Sequence, residues 1–129
     1  MRSRSVKRPT DAELVILRVL WEHGPSTVRE INGILNETRS TGYTTTLKQM
    51  QVMTSKGLLV RDESHRPQVY HPAFSQDQTQ QQLVGHLIKR AFGGSARKLV
   101  MQALQSEDIS AAELSRVEQL LDKLKGGKK

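Results

Sequence analysis

The chain of 129 residues contains no cysteine, which excludes disulfide bonds, thiolate metal sites and a cysteine nucleophile. It also has no apolar run of the roughly 18 residues that a membrane-spanning helix requires. The basic N-terminus leads into no long apolar segment with a small-residue cleavage site, so it does not have the pattern of a secretory signal. We therefore expect a cytoplasmic protein without a membrane partner.

The sequence also lacks the patterns that indicate catalysis or cofactor binding. Its four histidines show no paired ligand spacing, and no cysteine is present to complete a zinc site. There is no phosphate-cradling glycine loop, and nothing arranges serine, histidine and acidic residues as a triad. We predict no catalytic residue, no metal ligand and no cofactor. His65, in a polar turn, could contact a phosphate, although simple solvent exposure is the other interpretation.

Basic residues outnumber acidic residues by 20 to 13, and the net charge is +7. This balance favours nucleic acid or an anionic membrane surface as a partner and says nothing about the fold. Aromatic residues, which stack on the bases of single strands, are scarce. The length allows one compact domain or two small ones.

Two helix-start signals organise the first forty residues. Residues 10–13 (TDAE) and 27–30 (TVRE) are capping boxes, in which the Thr and Glu side chains satisfy free amides at a helix start. The first opens an almost continuously apolar helix from Asp11 to about His23, which we place at the centre of the domain. Gly24 and Pro25 end it. The second opens a shorter helix to about Asn36.

Residues 41–57 predict the third helix, with Gly57 as its left-handed C-terminal cap. They also contain the main candidate site. One face, suited to the core, carries Tyr43, Thr46, Met50 and Met53. The opposite face carries Thr44, Lys48, Gln51 and Ser55. That polar face has no acid, whereas solvated helices usually mix Glu with Lys. Because Thr, Gln and Lys can contact base edges and phosphates, the face suits a polyanion; an ordinary surface helix is the alternative.

The residues after the third helix predict a β-hairpin. The pattern predicts a strand from Leu58 to Asp62 and a turn at residues 63–67. It predicts a returning strand from Gln68 to His71, which Pro72 ends. Three helices followed by a two-stranded ribbon is the order of a winged helix-turn-helix. We therefore predict a mainly α fold with a small β-hairpin, in which residues 1–9 form a disordered basic arm and residues 10–74 a DNA-binding domain.

The composition changes after Phe74, and three short amphipathic helices are predicted within residues 75–125. They contain too few residues to bury their own apolar faces, so packing against a second copy is expected. We interpret this half as a dimerisation domain followed by a disordered tail, residues 126–129. The side chains assigned to the dimer contact are Leu83, Leu87, Leu114, Val117, Leu121 and Leu124.

By these features the chain resembles the penicillinase and methicillin-resistance repressors and their copper-responsive relatives. The motifs that carry the resemblance are residues 19–25 (VLWEHGP), 27–31 (TVREI), 43–45 (YTT), 56–59 (KGLL) and 70–72 (YHP). They cover residues 10–74 well, and the C-terminal half matches only in pattern. The resemblance implies a homodimeric repressor that binds an inverted repeat in a promoter and blocks transcription.

The chain departs from the family pattern in three respects. Val52 stands where the family often has a base, which removes one expected phosphate contact. The chain lacks the C-terminal cysteine pairs of the copper-responsive members. Gln102 and Ala103 stand where members inactivated by a partner protease have their Asn-Phe cleavage bond. Release from DNA would then require some other protease, partner or inducer.

The leading hypothesis is a dimeric winged-helix repressor that binds a palindromic operator in double-stranded DNA. We call the predicted hairpin of residues 58–72 the wing. The residues assigned to DNA contact are Thr44, Thr45, Lys48, Gln51 and Ser55 on the third helix, and Arg66 on the wing. The alternative is a winged-helix adaptor for protein contacts, which would expose apolar residues on the third helix. A double-stranded-RNA binder that reads shape is a third interpretation.

Overall fold

The computed structural model describes residues 8–126, which form six helices and one antiparallel hairpin. The elements in order are α1 Asp11–His23, α2 Val28–Leu35, α3 Tyr43–Ser55, β1 Leu59–Asp62, β2 Val69–Pro72, α4 Gln76–Ala91, α5 Ala96–Leu104 and α6 Ala111–Gly126. The predicted mainly α fold with a small hairpin is confirmed. Most of the predicted N-terminal arm and C-terminal tail lies outside the described residues; Pro9, assigned to the arm, is buried, and Gly126 ends α6.

Every helix within residues 8–126 except α3 begins at a short-range side-chain capping bond. In the first capping box the Glu13 backbone N–H donates to Thr10 Oγ1 at 3.2 Å, and the Thr10 N–H donates to Glu13 Oε1 at 2.9 Å. The boxes at Thr27 and Ser110 have the same reciprocal pattern. A further box before α4, between Ser75 and Gln78, was not recognised in the sequence although its spacing is the same.

The core of the N-terminal unit lies among the first three helices and the hairpin. Its buried apolar residues are Ile16, Leu17, Leu20, Val28, Ile31, Leu35, Met50, Met53, Leu58, Leu59 and Tyr70. The prediction that Tyr43 faces this core is wrong, since its side chain is 45% exposed. Tyr43 is the first residue of α3, and burial on its face begins one turn later, at Thr46.

The hairpin is short and is attached to the helices at its base. Its register pairs Leu59 with Pro72 and Asp62 with Val69, so each strand begins one residue later than predicted. Ser26, in the turn between α1 and α2, exchanges two backbone hydrogen bonds with Tyr70, at 3.1 and 2.8 Å. These bonds hold the hairpin beside the helix-turn-helix.

The chain divides into two compact units between Leu83 and Val84, inside α4. This division of contacts does not test the domain boundary predicted at Phe74, which stays a prediction. Within the described part of the second unit, Val84 to Gly126, no residue is buried. Gly93 and Gly94, both with positive φ, separate α4 from α5. No helix within residues 8–126 is long and apolar enough to cross a membrane.

Candidate nucleic-acid interface

The face of α3 that points away from the core is polar and accessible. Thr46, Met50 and Met53 are fully buried, which turns the opposite side of the helix to solvent. All five candidate residues on α3 are exposed: Thr44, Thr45, Lys48, Gln51 and Ser55. The helix contains no acidic residue. The structure therefore brings these five side chains onto one continuous surface along α3.

Asn32 of α2 and Asn36, which caps the end of α2, set the turn that precedes α3. Asn32 Nδ2 donates to the Thr41 carbonyl and to Thr46 Oγ1, each at 2.9 Å. Asn36 Nδ2 donates to the same Thr41 carbonyl at 2.9 Å, and its Oδ1 accepts from the Thr41 N–H at 2.8 Å. Because Thr46 is fully buried, this asparagine pair links α2 to the inner face of α3. Two asparagines one helical turn apart before a turn are the sequence signal that was missed.

The C-terminus of α3 is joined directly to the hairpin. Gly57 adopts φ +84°, and the N–H groups of Gly57 and Leu58 donate to the Thr54 and Met53 carbonyls at 3.1 and 2.9 Å. This is the Schellman pattern, which a left-handed glycine completes without strain. Gly57 was predicted as this cap, and the prediction is confirmed.

Lys56, at the end of α3, forms an ion pair with Glu13 of α1. Its Nζ lies 2.8 and 2.9 Å from the two carboxylate oxygens, and the Glu13 side chain is only 8% exposed. Burial by itself would raise the pKa of Glu13. The hydrogen bond from Lys56, the bonds with Thr10 and the Lys56 charge outweigh burial, so the pKa is lowered overall. The pair fixes the end of α3 against the start of α1.

Most of the charges on the wing compensate one another. Arg61 Nη2 lies 2.8 Å from Glu63 Oε2, and hydrogen bonds with Tyr70 and Glu63 raise the pKa of the Arg61 guanidinium. The hydroxyl and backbone N–H of Ser64 donate to Asp62, which lowers the pKa of that carboxyl.

Arg66 is the exposed arginine of the wing that forms no ion pair within residues 8–126. His65, by contrast, lies 3.6 Å from Asp62 Oδ2. Arg66 is therefore free to contact a phosphate, whereas His65 is beside an acid.

A groove between α2, α3 and the wing contains a cation that no sequence pattern indicated. Arg29 is exposed at the start of α2, and its guanidinium lies 5.5 Å from the centre of the Tyr43 ring. Gln68 and Tyr70 of the hairpin line the other side of this groove. The ring and the guanidinium support each other's position. No local pattern links them, since they belong to different helices.

The residues assigned to dimerisation are all at least partly exposed. Leu87, Leu114, Leu121 and Leu124 are exposed, and Leu83 and Val117 are half-buried. Residues 8–126 contain no group of three His, Asp or Glu side chains that could hold a metal ion. The sequence-based expectation of no metal and no cofactor stays a prediction.

Three helices, the third with an exposed polar face, followed by an antiparallel hairpin define the chain as a winged helix-turn-helix protein. The sequence model of the penicillinase repressor family matches residues 9–123, so the chain belongs to that family. It is similar to the penicillinase repressor of Bacillus licheniformis, with 23% identity over 126 residues that cover 98% of each chain. The resemblance inferred from the motifs is thus confirmed, and membership in this family supports a transcriptional repressor.

Proposed function

We propose that the chain is a homodimeric, sequence-specific repressor that binds a palindromic operator in double-stranded DNA. Each α3 enters the major groove, and each wing lies on the phosphates. The observation that carries the proposal is the acid-free polar face of α3, whose five candidate side chains are all exposed. An acid at this surface would be repelled by phosphates, so its absence favours a polyanionic partner.

The side chains on α3 suit readout of base edges. Lys48 can donate to the guanine O6 and N7 acceptors, and the Gln51 amide can pair with the N6 and N7 edge of adenine. Thr44 and Thr45 lie in the first turn of α3, and residues near the start of a recognition helix are those that contact base edges. Ser55, at the other end, can contact either a base or a phosphate.

Two cations outside α3 suit phosphate contacts. Arg66 at the wing has no competing acid among the described residues, whereas Arg61 is held by Glu63. Arg29, at the start of α2, is exposed and held beside Tyr43. Such contacts orient a protein on the duplex without reading sequence. Together with Lys48 they supply the electrostatic part of the affinity.

The apolar surface of the second unit supports the dimer. Among the described residues, its large exposed apolar side chains are Val84, Leu87, Val100, Met101, Leu114, Leu120, Leu121 and Leu124, between 37% and 55% exposed. Because no described residue of this unit is buried, the helices lack the core of an independent domain. A second copy would cover this surface and hold two copies of α3 on one side of the duplex.

Selection of bound DNA from a random pool tests the proposal. We expect an inverted repeat whose half-site centres lie about one or two helical turns apart. Binding to the selected site should weaken with salt by about 0.9 logarithmic units per logarithmic unit of salt for each phosphate neutralised. If the selected DNA molecules share no preferred sequence, or if salt leaves the binding unchanged, the proposal is contradicted. Either result would favour an adaptor for protein contacts.

A further inference from the structure

Val52 is an apolar side chain on the otherwise polar face of α3. It is 44% exposed, and the buried positions of this helix are Thr46, Met50 and Met53. It lies four residues after Lys48 and seven after Thr45, which places all three on one side of α3. Packing against the core therefore does not explain Val52, and its surroundings are those of the proposed DNA-reading surface.

Two properties of valine matter at this position. Its isopropyl group cannot hydrogen-bond to a phosphate or to the polar edge of a base. In a helix it is held in one strongly preferred χ1 rotamer, so little side-chain freedom is lost when it makes a contact. In the major groove, the C5 methyl group of thymine is the apolar feature that such a side chain can meet.

We propose that Val52 is a specificity-determining residue that recognises a thymine through its methyl group. The inference rests on the proposed function, because it requires α3 to lie in the major groove. Lys48 and Thr45, on the same side of α3, would contact neighbouring bases or phosphates and exclude water from the methyl contact. Val52 thus adds an apolar element to a surface that otherwise reads DNA by hydrogen bonds.

Methyl deletion in the DNA tests the contact. Each thymine of the selected site is replaced in turn by deoxyuridine, which keeps the base pair and removes only the C5 methyl. For the full-length protein, we expect one position per half-site at which this change weakens binding by about four-fold, the effect of exposing one methyl group. With Val52→Ala, the same replacement should weaken binding by less than about two-fold, while the other positions respond as before.

Val60→Ala is the matched control, because Val60 is equally exposed, at 43%, but lies on the wing. It should leave the position-specific methyl effect intact. The inference is overturned if Val52→Ala retains the full methyl effect, if no thymine shows one, or if Thr45→Ser abolishes it while Val52→Ala does not. A pool that yields no preferred sequence would instead contradict the proposed function, and the assignment of Val52 with it.

Discussion

Lys48 and Gln51 on α3 differ from Arg66 on the wing in the kind of contact they are expected to make. Lys48→Ala and Gln51→Ala should change which bases are preferred, with about 1–3 kcal/mol lost for each good base contact. Arg66→Ala should weaken binding to all sequences alike and make the salt dependence shallower. Binding of each variant to the selected site and to single-base variants measures both effects. An altered base preference in Arg66→Ala, with none in the α3 variants, would contradict the placement of helix and wing.

The Glu13 and Lys56 pair should contribute measurably to stability. Lys56→Met leaves the Glu13 carboxylate, which is 8% exposed, without its partner. Removing one partner of a buried pair costs about 3–5 kcal/mol, and we expect the lower end because Lys56 is 21% exposed. Urea unfolding measures the loss. Glu63→Gln is the control, since Glu63 pairs with Arg61 on the exposed hairpin and its loss should change the unfolding free energy far less.

The same pair also determines a pH dependence. The pKa of Glu13 is lower in the folded chain than its ordinary value of 4.5. Its contribution to stability is therefore complete above that value and is lost as the pH falls through the folded pKa. Unfolding free energies measured down through this range should decrease more steeply for the native chain than for Glu13→Gln. Parallel curves for the two proteins would contradict the role of the ion pair.

At the scale of elements, the turn between α2 and α3 depends on the Asn32 amide. Asn32→Asp keeps the size of the side chain but removes the donor to the Thr41 carbonyl and to Thr46 Oγ1. We expect a loss of about 1–3 kcal/mol in unfolding free energy, because the buried Thr46 hydroxyl loses its donor and the Thr41 carbonyl keeps only the bond from Asn36. DNA binding should weaken for all sequences, since α3 loses a contact that orients it.

Gly33→Ala provides the control for that variant. Gly33 is the exposed neighbour of Asn32, and an added Cβ there meets nothing within 4 Å. Alanine is a better helix former than glycine, so this change should leave stability unaltered or raise it by about 1 kcal/mol. If Asn32→Asp unfolds with the free energy of the native chain, the asparagine pair does not hold the turn.

At the scale of the whole molecule, the two units should have separate tasks. A fragment ending at Leu83 retains the complete core of the first unit, so we expect it to fold. It should be a monomer and bind the palindrome weakly, because the two DNA-binding domains are no longer linked to each other. Leu121→Asp should have a similar effect on assembly, since dimerisation would bury an unpaired charge.

Sedimentation of these proteins measures whether each one is a monomer or a dimer. Gln119→Asp adds the same charge to an exposed polar position of α6 and should remain a dimer. A full-length chain that sediments as a monomer would contradict the dimer proposal. A fragment that binds the palindrome as tightly as the full chain would contradict it as well.

The sequence by itself determined the order of the elements, the starts of most helices, the Gly57 cap and the polar face of α3. These features depend on interactions within a few residues: a capping bond spans three positions, and helical periodicity spans one or two turns. Only the tertiary structure decided which distant groups meet. Lys56 and Glu13 are 43 residues apart, and nothing local links them. The exposure of Tyr43 and the buried link from Asn32 to Thr46 likewise depend on how the helices pack, because burial is a property of the closed core and not of the chain segment.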